Sequence, residues 1–331
     1  MKPRISFIVP VRNDADRLER CLRSIWRNQY AAGQTEIVVV DNGSTDASPD
    51  VARRLGATLI VVENAPVSEL RNRGARHATG EILAFVDADN EIVSGWIRAA
   101  IEILRLPRVG AAGALYRAPA DGTWVQRAYG DLRGRTQGQD DATWLGSGNL
   151  AVWRRTFDAV GGFDTSLEAC EDVDLCNRIR AIGLRLVSDG RLESVHHGDP
   201  KTLSDLFASE LWRGRDNLRV SFRGPLAWAS LPSAIVPIVD VAMVGAIAFG
   251  LVTMMVAWGP GVLITCGALV VIAAGSLLKV IRASVRGGRV PGIGILRTFV
   301  VACVYDLGRA LALVARAPHR SARPRAAAAA S

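Results

Sequence analysis

Short apolar runs alternate with segments of helical periodicity along the first half of the chain. Runs rich in β-branched residues and bounded by polar residues predict strands at 5–11, 36–40, 58–62 and 82–86. Between them, the spacing of apolar residues predicts helices at about 18–26, 47–55 and 67–79, and we expect Gly80 to end the last one. Because the strands are apolar throughout rather than at every second residue, the pattern predicts an α/β fold whose mostly parallel sheet has helices on both faces.

The pattern becomes less regular after residue 91. A helix is predicted at 94–105, followed at 117–142 by a polar stretch rich in Gly, Arg and Asp. Such a stretch is either a functional lid or an unstructured surface loop. Further on, the acidic cluster Glu171-Asp172-Val173-Asp174 opens a predicted helix. Carboxylates in a first helical turn favour the positive end of the macrodipole, so a purely structural role remains open for them.

Two long apolar segments near the C-terminus predict membrane helices. Residues 232–257 contain one charged side chain, Asp240, and residues 262–278 contain none. About 20 residues span the hydrocarbon core, so the first is long enough, and so is the second when it is extended to 261–281. A third segment, 293–315, is interrupted by Arg297, Asp306 and Arg309. For it we expect an interfacial or re-entrant helix, with a third span as the alternative.

These patterns predict a catalytic domain at 1–225, a membrane domain at 226–317 and a basic, Ala-rich, disordered tail at 318–331. No signal peptide is expected, because a strand begins after only four residues. The link between the two spans is uncharged, whereas four basic residues follow the second span: Lys279, Arg282, Arg286 and Arg289. The positive-inside rule then predicts a multi-pass protein of the inner (cytoplasmic) membrane with its catalytic domain in the cytoplasm.

The charge and the cysteine content of the chain limit which classes of partner and which kinds of structural site we expect. The net charge of +8 would suit nucleic acid, but much of the excess Arg lies beside or after the apolar segments. We therefore expect membrane lipids as the partner and no nucleic acid. The five cysteines form no Cys-x-x-Cys pair, which predicts a reduced catalytic part without a disulfide framework or zinc site.

Asp87 and Asp89 follow directly on the strand predicted at 82–86. Open α/β sheets bind ligands at the carboxyl ends of their strands. On an extended backbone, side chains two residues apart point the same way, so the two carboxylates could converge on one hard cation. A bare Asp-x-Asp is equally compatible with a solvated turn or a helix N-cap.

Six short motifs between residues 9 and 172 resemble, in order, those of the family 2 glycosyltransferases. These are inverting enzymes of the GT-A fold that use nucleotide-diphosphate sugars. The motifs are Val9–Asn13, Val38–Asp46, Arg71–Gly74 leading to Phe85–Asp89, Gly148–Ala151, Gly161–Asp164 and Glu171–Asp172. Each motif is weak alone, whereas their shared order and spacing make the resemblance specific.

The resemblance implies a donor site built around a divalent cation. Asp89 would bind Mg²⁺ or Mn²⁺ and Asp87 would bind the ribose or complete the shell of the metal, so that the diphosphate is neutralised as it leaves. Asp41 would accept a hydrogen bond from the nucleobase, and Arg71 would lie near the nucleotide. The backbone from Pro10 to Asn13 would border the same pocket.

The resemblance also assigns Asp172 as the base that takes the proton of the acceptor hydroxyl. An Asp in water has a pKa near 4, so it needs burial or neighbouring carboxylates such as Glu171 to become an effective base. His196 or His197 would reach the metal or the diphosphate, with a surface histidine as the alternative.

The processive synthases of this superfamily carry a Gln-x-x-Arg-Trp motif, whereas this chain has Trp212-Arg213 in the reverse order. That departure favours transfer of a single sugar. Arg213 and Arg215 could contact the diphosphate, but lipid contact is the preferred prediction. The expected function is a membrane-anchored, metal-dependent transferase acting on a membrane-associated acceptor such as a polyprenyl-linked glycan. The alternatives are a polyprenyl-phosphate glycosyltransferase and a non-catalytic nucleotide-binding membrane scaffold.

Overall fold

The computed structural model describes residues 3–134, 136, 138–221, 223, 231–287 and 292–315. The chain forms two compact units. The first contains the residues up to Ala114 together with Gly138–Gly198, and the second contains Leu115–Gln137 and Asp199–Ala317. The domain boundary expected at residue 225 stays a prediction, and the tail at 318–331 lies outside the described residues.

The first unit is built on an eight-stranded sheet with the strand order β3-β2-β1-β4-β9-β6-β10-β8. The four strands β3, β2, β1 and β4 are parallel, as are β6 and β10, whereas β9 runs antiparallel between β4 and β6, and β8 runs antiparallel at the edge. The chain's strands are β1 (Ile5–Val11), β2 (Thr35–Asp41), β3 (Thr58–Val61), β4 (Ile82–Val86), β5 (Asn90–Ile92), β6 (Val109–Gly113), β7 (Tyr116–Arg117), β8 (Gln139–Ala142), β9 (Asn149–Trp153), β10 (Arg185–Asp189) and β11 (Ser194–His196). The predicted mostly parallel sheet is therefore confirmed.

Helices cover both faces of this sheet because successive side chains of a strand point to opposite sides. Phe7 and Val9 of β1 belong to one apolar cluster, and Ile8 between them belongs to the other. The first cluster includes residues of α1, α2 and α4, and the second includes residues of α3, α6 and α7. These helices are α1 (Ala15–Trp26), α2 (Ser48–Arg54), α3 (Val67–His77), α4 (Trp96–Leu104), α6 (Arg154–Ala159) and α7 (Glu171–Ala181).

Gly80 does not end a helix, which corrects one expectation. The helix α3 ends at His77, and Ala78 after it is already extended. A Cβ at position 80 would lie 2.4 Å from the Ser6 hydroxyl oxygen and 2.8 Å from the Ser6 backbone nitrogen. Glycine is therefore needed at this position so that the chain can enter β4 directly beside β1.

The second unit is mainly helical. Its helices are α5 (Trp124–Arg133), α8 (Leu203–Arg213), α9 (Asn217–Ser221), α10 (Leu231–Met254), α11 (Trp258–Gly287) and α12 (Gly292–Leu311). The helix α5 and strand β8 both fall in the polar stretch at 117–142, so this stretch is not an unstructured loop throughout. A capping box starts α5, because the Thr123 side chain accepts from the Gln126 backbone and Gln126 accepts from the Thr123 backbone.

Two helices of the second unit are long and apolar enough to cross a membrane. They are Pro232–Met254 and Trp258–Val285, and they overlap the spans predicted at 232–257 and 261–281. Most of their residues are not buried within the protein, which is typical of helices that face lipid rather than a protein core. The third segment, α12, contains three charged residues, and its interfacial, re-entrant or spanning placement stays a prediction.

Candidate active site

Three neighbouring parallel strands bring the candidate residues to one edge of the sheet. In the strand order β2-β1-β4, Val11 pairs with Asp41, and Ile8 pairs with Phe85. The three strands thus end close together, at Asp41, Val11 and Val86. The polar residues that follow each strand lie at the carboxyl edge, where open α/β sheets bind ligands.

Asp41 and Asn13 organise the loops at this edge. Asp41 is 1% exposed, and its Oδ2 accepts from the Ser44 backbone N–H at 2.9 Å. The Ser44 hydroxyl in turn accepts from the Asn13 backbone, and Asn13 Oδ1 accepts from the Thr45 backbone at 2.7 Å. Pro10 lies in buried β1 opposite Val40. Among the described residues nothing donates to Asp41 Oδ1, which is buried.

Arg71 joins three parts of the chain at this edge. It lies on α3 and is 3% exposed. Its Nη2 donates to Asp87 Oδ1 at 2.6 Å, and its Nη1 donates to Glu171 Oε1 at 2.7 Å. Burial alone would lower the pKa of Arg71, but the carboxylates of Asp87 and Glu171 raise it above its ordinary value. The residue after β4 and the start of α7 are therefore held together by one permanently charged guanidinium.

Asp87 and Asp89 are not on an extended backbone. The Asn90 N–H donates to the Asp87 carbonyl at 2.9 Å, so the chain turns directly after β4. The argument from side-chain alternation therefore does not apply, and the two carboxylates have different protein partners. Asp87 is paired with Arg71, whereas Asp89 Oδ1 lies 3.4 Å from His196 Nε2.

Asp89 is held in a narrow space. The His197 N–H donates to its backbone carbonyl at 2.9 Å. A Cβ at Gly198 would lie 1.7 Å from Asp89 Oδ2. A side chain at position 198 would therefore require the Asp89 carboxylate to move.

The donor set here fits a divalent cation that brings its own further ligands. Asp89 Oδ1 is buried without a hydrogen-bond partner in the part of the chain that the structure describes, and His196 adds a ring nitrogen beside it. The same residues include no group of three or more His, Cys, Asp or Glu arranged to hold a metal ion. Mg²⁺ and similar ions commonly take one or two protein carboxylates and complete their shell with water and substrate phosphate.

Asp172 is the second residue of α7, beside Glu171. Burial and the negative charge of Glu171 raise the pKa of Asp172 to about 7, although the Val173 backbone N–H and Arg71 act in the opposite direction. Glu171 also accepts from the Ser147 hydroxyl at 3.4 Å. A carboxyl group with this pKa is well suited to take a proton near neutral pH.

Comparison with known proteins identifies a family match in the first half of the chain. Residues 6–159 match the family described as "Glycosyl transferase family 2". The chain contains a family 2 glycosyltransferase domain. The match covers β1 to α6, and therefore includes Asp41, Arg71, Asp87 and Asp89.

Two relatives align with more than half of the chain. It is 25% identical over 228 residues to "Glycosyltransferase AglE" of Haloferax volcanii, an alignment that covers 66% of this chain and 74% of that protein. It is 29% identical over 226 residues to "Uncharacterized protein y4gI" of Sinorhizobium fredii, covering 59% of this chain but only 24% of that longer protein.

A mannosyltransferase from Pyrobaculum calidifontis, solved with GDP-Man and Mn²⁺, superposes with a TM-score of 0.61. The superposition covers 95% of this chain and 87% of that one, at 21% sequence identity. At this identity the likeness concerns the fold, and it confirms the predicted GT-A architecture.

Arg17 lies beside the candidate site, although no sequence motif singled it out. Its Nε donates to Asp14 at 2.7 Å, and its Nη1 lies 3.5 Å from the His197 carbonyl and 4.0 Å from Asp89 Oδ2. Burial raises the pKa of Asp14, whereas the opposing Arg17 lowers it. The only sequence signal was an Asp and an Arg three residues apart at the start of α1, a spacing common on solvated helices.

Arg213 has partners within the second unit. It donates to Glu210 Oε1 at 3.1 Å and to the Tyr129 hydroxyl at 3.0 Å. The expected contacts of Arg213 and Arg215 with lipid or diphosphate stay predictions.

Proposed function

We propose that this glycosyltransferase transfers a single sugar, with inversion, from a nucleotide-diphosphate sugar to a membrane-associated acceptor, and that it requires Mg²⁺ or Mn²⁺. The observation that carries the proposal is the network centred on Arg71. This buried side chain connects Asp87, at the carboxyl edge of the sheet, with Glu171, the neighbour of Asp172. Donor binding and proton removal would then depend on groups that are held in one hydrogen-bonded arrangement.

The carboxyl edge has suitable groups for each part of the donor. Asp41 offers a buried acceptor oxygen for an N–H group of the nucleobase. Asp87 is paired with Arg71, and its carboxylate can accept from ribose hydroxyls or from water around the cation. Asp89 and His196 would hold the cation, which as a Lewis acid would stabilise the diphosphate as it leaves. The Mn²⁺ and GDP-Man in the similar mannosyltransferase support both ligands.

Asp172 would remove the proton from the acceptor hydroxyl. Inversion requires the hydroxyl to attack from the face opposite the leaving diphosphate, and the proton must leave as the new bond forms. With its pKa raised to about 7, a large fraction of Asp172 is ionised at neutral pH, and the ionised form is a much stronger base than an ordinary Asp.

The apolar helices α10 and α11 support a membrane anchor. We infer an inner-membrane protein with its catalytic domain in the cytoplasm and a lipid-linked acceptor such as a polyprenyl-linked glycan. A transferase acting directly on polyprenyl phosphate is the second candidate, because the same anchor would serve either acceptor. The scaffold alternative has less support, since a non-catalytic protein has no need of an Asp172 with a raised pKa linked through Glu171 and Arg71 to the carboxyl edge.

The test is replacement of Asp172 by Asn in the full chain, purified in a neutral detergent. A base acts on the acceptor in the transition state, so kcat should fall by roughly 10²-fold or more while donor affinity is unchanged. Asp158→Asn, which changes an exposed carboxylate on α6, is the matched control. Near-native turnover of Asp172→Asn with a competent acceptor would refute the assignment.

A further inference from the structure

A cavity of about 410 Å³ lies in the first unit, at the end of the sheet opposite the one where the candidate active site lies. It is bordered by the start of β6, the end of β9 and the residue before β10. These positions are adjacent because Ala111 pairs with Val152, and Val109 with Arg185. The strands β4 and β6 are both antiparallel to β9 and therefore run in the same direction. The start of β6 and the end of β4 thus lie at opposite ends of the sheet. This cavity is therefore separate from the site of Asp87 and Asp89.

Three exposed arginines line the cavity: Arg105, Arg108 and Arg155. Across residues 3–315, as far as the structure describes them, none of the three forms an ion pair with a carboxylate. Three like charges around one cavity repel each other, and that repulsion is relieved when an anion enters. Guanidinium groups bind phosphate through two parallel hydrogen bonds, so a phosphate group is the anion that such a set best fits.

Two of these arginines are held in place by neighbouring groups. Arg108 has a backbone φ of 62°, a left-handed conformation that is uncommon for residues other than glycine. Its Nη2 donates to the Gly183 carbonyl at 2.9 Å. The guanidinium of Arg155 lies 5.1 Å from the centre of the Trp153 ring, and the Trp153 indole N–H donates to the Leu104 carbonyl at 2.8 Å. Charged groups that are positioned beforehand lose less conformational entropy when a ligand binds.

Apart from Thr156, the rest of the lining is apolar and is suited to an organic group attached to the phosphate. It comprises Leu104, Leu106, Pro107, Val109, Trp153 and Leu184. The cavity volume lies within the range of sites that hold small organic ligands. A site with several cations at its rim and apolar walls suits a ligand that combines phosphate with an organic part.

We propose that the groove of Arg105, Arg108 and Arg155 binds a ligand bearing phosphate or diphosphate. Such a group occurs both in soluble organic phosphates and in lipid headgroups, and the chemistry of recognition is the same for both. The proposal does not depend on the proposed transferase mechanism, because none of these residues belongs to the Arg71 network or to the Asp89 site.

Calorimetry on the full chain in neutral detergent tests the proposal, with inorganic pyrophosphate as one probe and dihexanoyl phosphatidic acid, below its micelle concentration, as the other. EDTA is present so that no cation can bridge pyrophosphate to the acidic edge. We expect saturable binding of at least one probe at one site per chain. The variant Arg105→Gln/Arg108→Gln/Arg155→Gln should lose at least about tenfold in affinity, because it removes every charge-assisted contact. The probe that binds more tightly indicates whether the source is soluble or lipid.

The matched control is Arg20→Gln/Arg53→Gln/Arg54→Gln, which removes the same charge from exposed positions on α1 and α2. Its affinity should stay within about twofold of the parent, since screened charges far from a site contribute little. Asp89→Ala should also bind the probe normally, which separates this site from the donor site. Arg155→Gln alone, which removes the contact with the Trp153 ring, guards against misfolding of the triple variant and should weaken binding measurably. Absence of saturable binding, or equal losses in both triple variants, would overturn the proposal.

Discussion

At the scale of single residues, the pair Glu171 and Asp172 sets the expected pH dependence. In the proposed mechanism the ionised form of Asp172 is the base, and the pKa of Asp172 is raised to about 7 by burial and by Glu171. We therefore expect kcat/KM to rise with pH through about 7 and to level off above it. In Glu171→Gln the neighbouring negative charge is gone while Arg71 still stabilises the ionised Asp172, so the midpoint should move to lower pH.

Steady-state rates of the parent and of Glu171→Gln across neutral pH, at constant ionic strength, measure this shift. Asp158→Asn removes an exposed carboxylate and should leave the midpoint unchanged. A midpoint that stays in place in Glu171→Gln, or that moves to higher pH, would show that Glu171 does not set the pKa of the base.

Gly198 offers a second residue-scale prediction, because its lack of a side chain makes room for Asp89. In Gly198→Ala the new Cβ would start 1.7 Å from Asp89 Oδ2, so the carboxylate must move. We expect calorimetry to show weaker Mn²⁺-dependent binding of the nucleotide-sugar donor, approaching the loss in Asp89→Ala. Gly267→Ala adds the same methyl group where no atom lies within 4 Å and should bind normally. If donor affinity is unchanged in both Gly198→Ala and Asp89→Ala, Asp89 is not the cation ligand.

The sequence identified which residues are candidates better than it identified their partners. Asp41, Arg71, Asp87, Asp89 and Asp172 were all singled out from motifs and strand ends. The salt bridge between Arg71 and Glu171 joins residues 100 positions apart, and no local pattern records such a contact. The directions in which the Asp87 and Asp89 carboxylates point could not be predicted from the sequence either. They depend on a turn after β4 in which the Asn90 N–H donates to the Asp87 carbonyl.

At the scale of elements, Glu210 ties three helices of the second unit together. It lies on α8 and is fully buried, and it accepts from Tyr129 of α5 at 2.9 Å and from Arg309 of α12 at 2.9 Å. Close packing supports this contact, because a Cβ at Gly308 would lie 2.9 Å from Glu210 Cβ. Burial raises the pKa of Glu210, but Arg309 and Arg213 together hold it below its ordinary value. The ion pairs are thus intact at neutral pH, and their stabilisation is lost as the pH falls through that lowered pKa.

Glu210→Gln should destabilise the packing of α12 by about 1.5–3 kcal/mol, because hydrogen bonds to a charged group are replaced by weaker ones and two arginines lose their counter-charge. Hydrogen exchange of the α12 amides in detergent measures this loss. Glu102→Gln breaks an exposed pair with Arg191 and should change exchange very little. If α12 exchanges at the parental rate in Glu210→Gln, the buried ion pairs do not hold this helix.

Helices and strands could be predicted from the sequence wherever the spacing of apolar residues was regular. They were missed in the polar stretch, where that spacing is harder to recognise. The strands β1 to β4 and the helices α1 to α4 lie within a few residues of the predicted ranges. The helix α5 was overlooked, although Thr123 and Gln126 have the spacing of a capping box. The burial of its apolar side chains depends on helices that are distant in the sequence.

At the scale of the whole molecule, the two proposed membrane helices would determine on which side of the membrane the candidate active site lies. The helix Pro232–Met254 rises about 34 Å at 1.5 Å per residue, enough to cross the hydrocarbon core. The short link to Trp258 carries no charge, whereas basic residues precede α10 and follow the apolar part of α11. If the basic ends face the cytoplasm, the catalytic domain has access to nucleotide sugars there, and its lipid-linked acceptor diffuses in the same leaflet.

Cysteine labelling in intact cells tests this orientation, in a background without reactive native cysteines. A maleimide that cannot cross the membrane should label a cysteine at Gly259, where an added side chain meets no atom within 4 Å. It should label a cysteine at exposed Arg223 only after the cells are permeabilised, because this position precedes the first span. The reverse labelling pattern would place the catalytic domain outside the cytoplasm and contradict a cytosolic donor. Labelling of both positions in intact cells would mean that α10 does not cross the membrane. The proposal of a membrane-anchored enzyme with a lipid-linked acceptor would then lose its support.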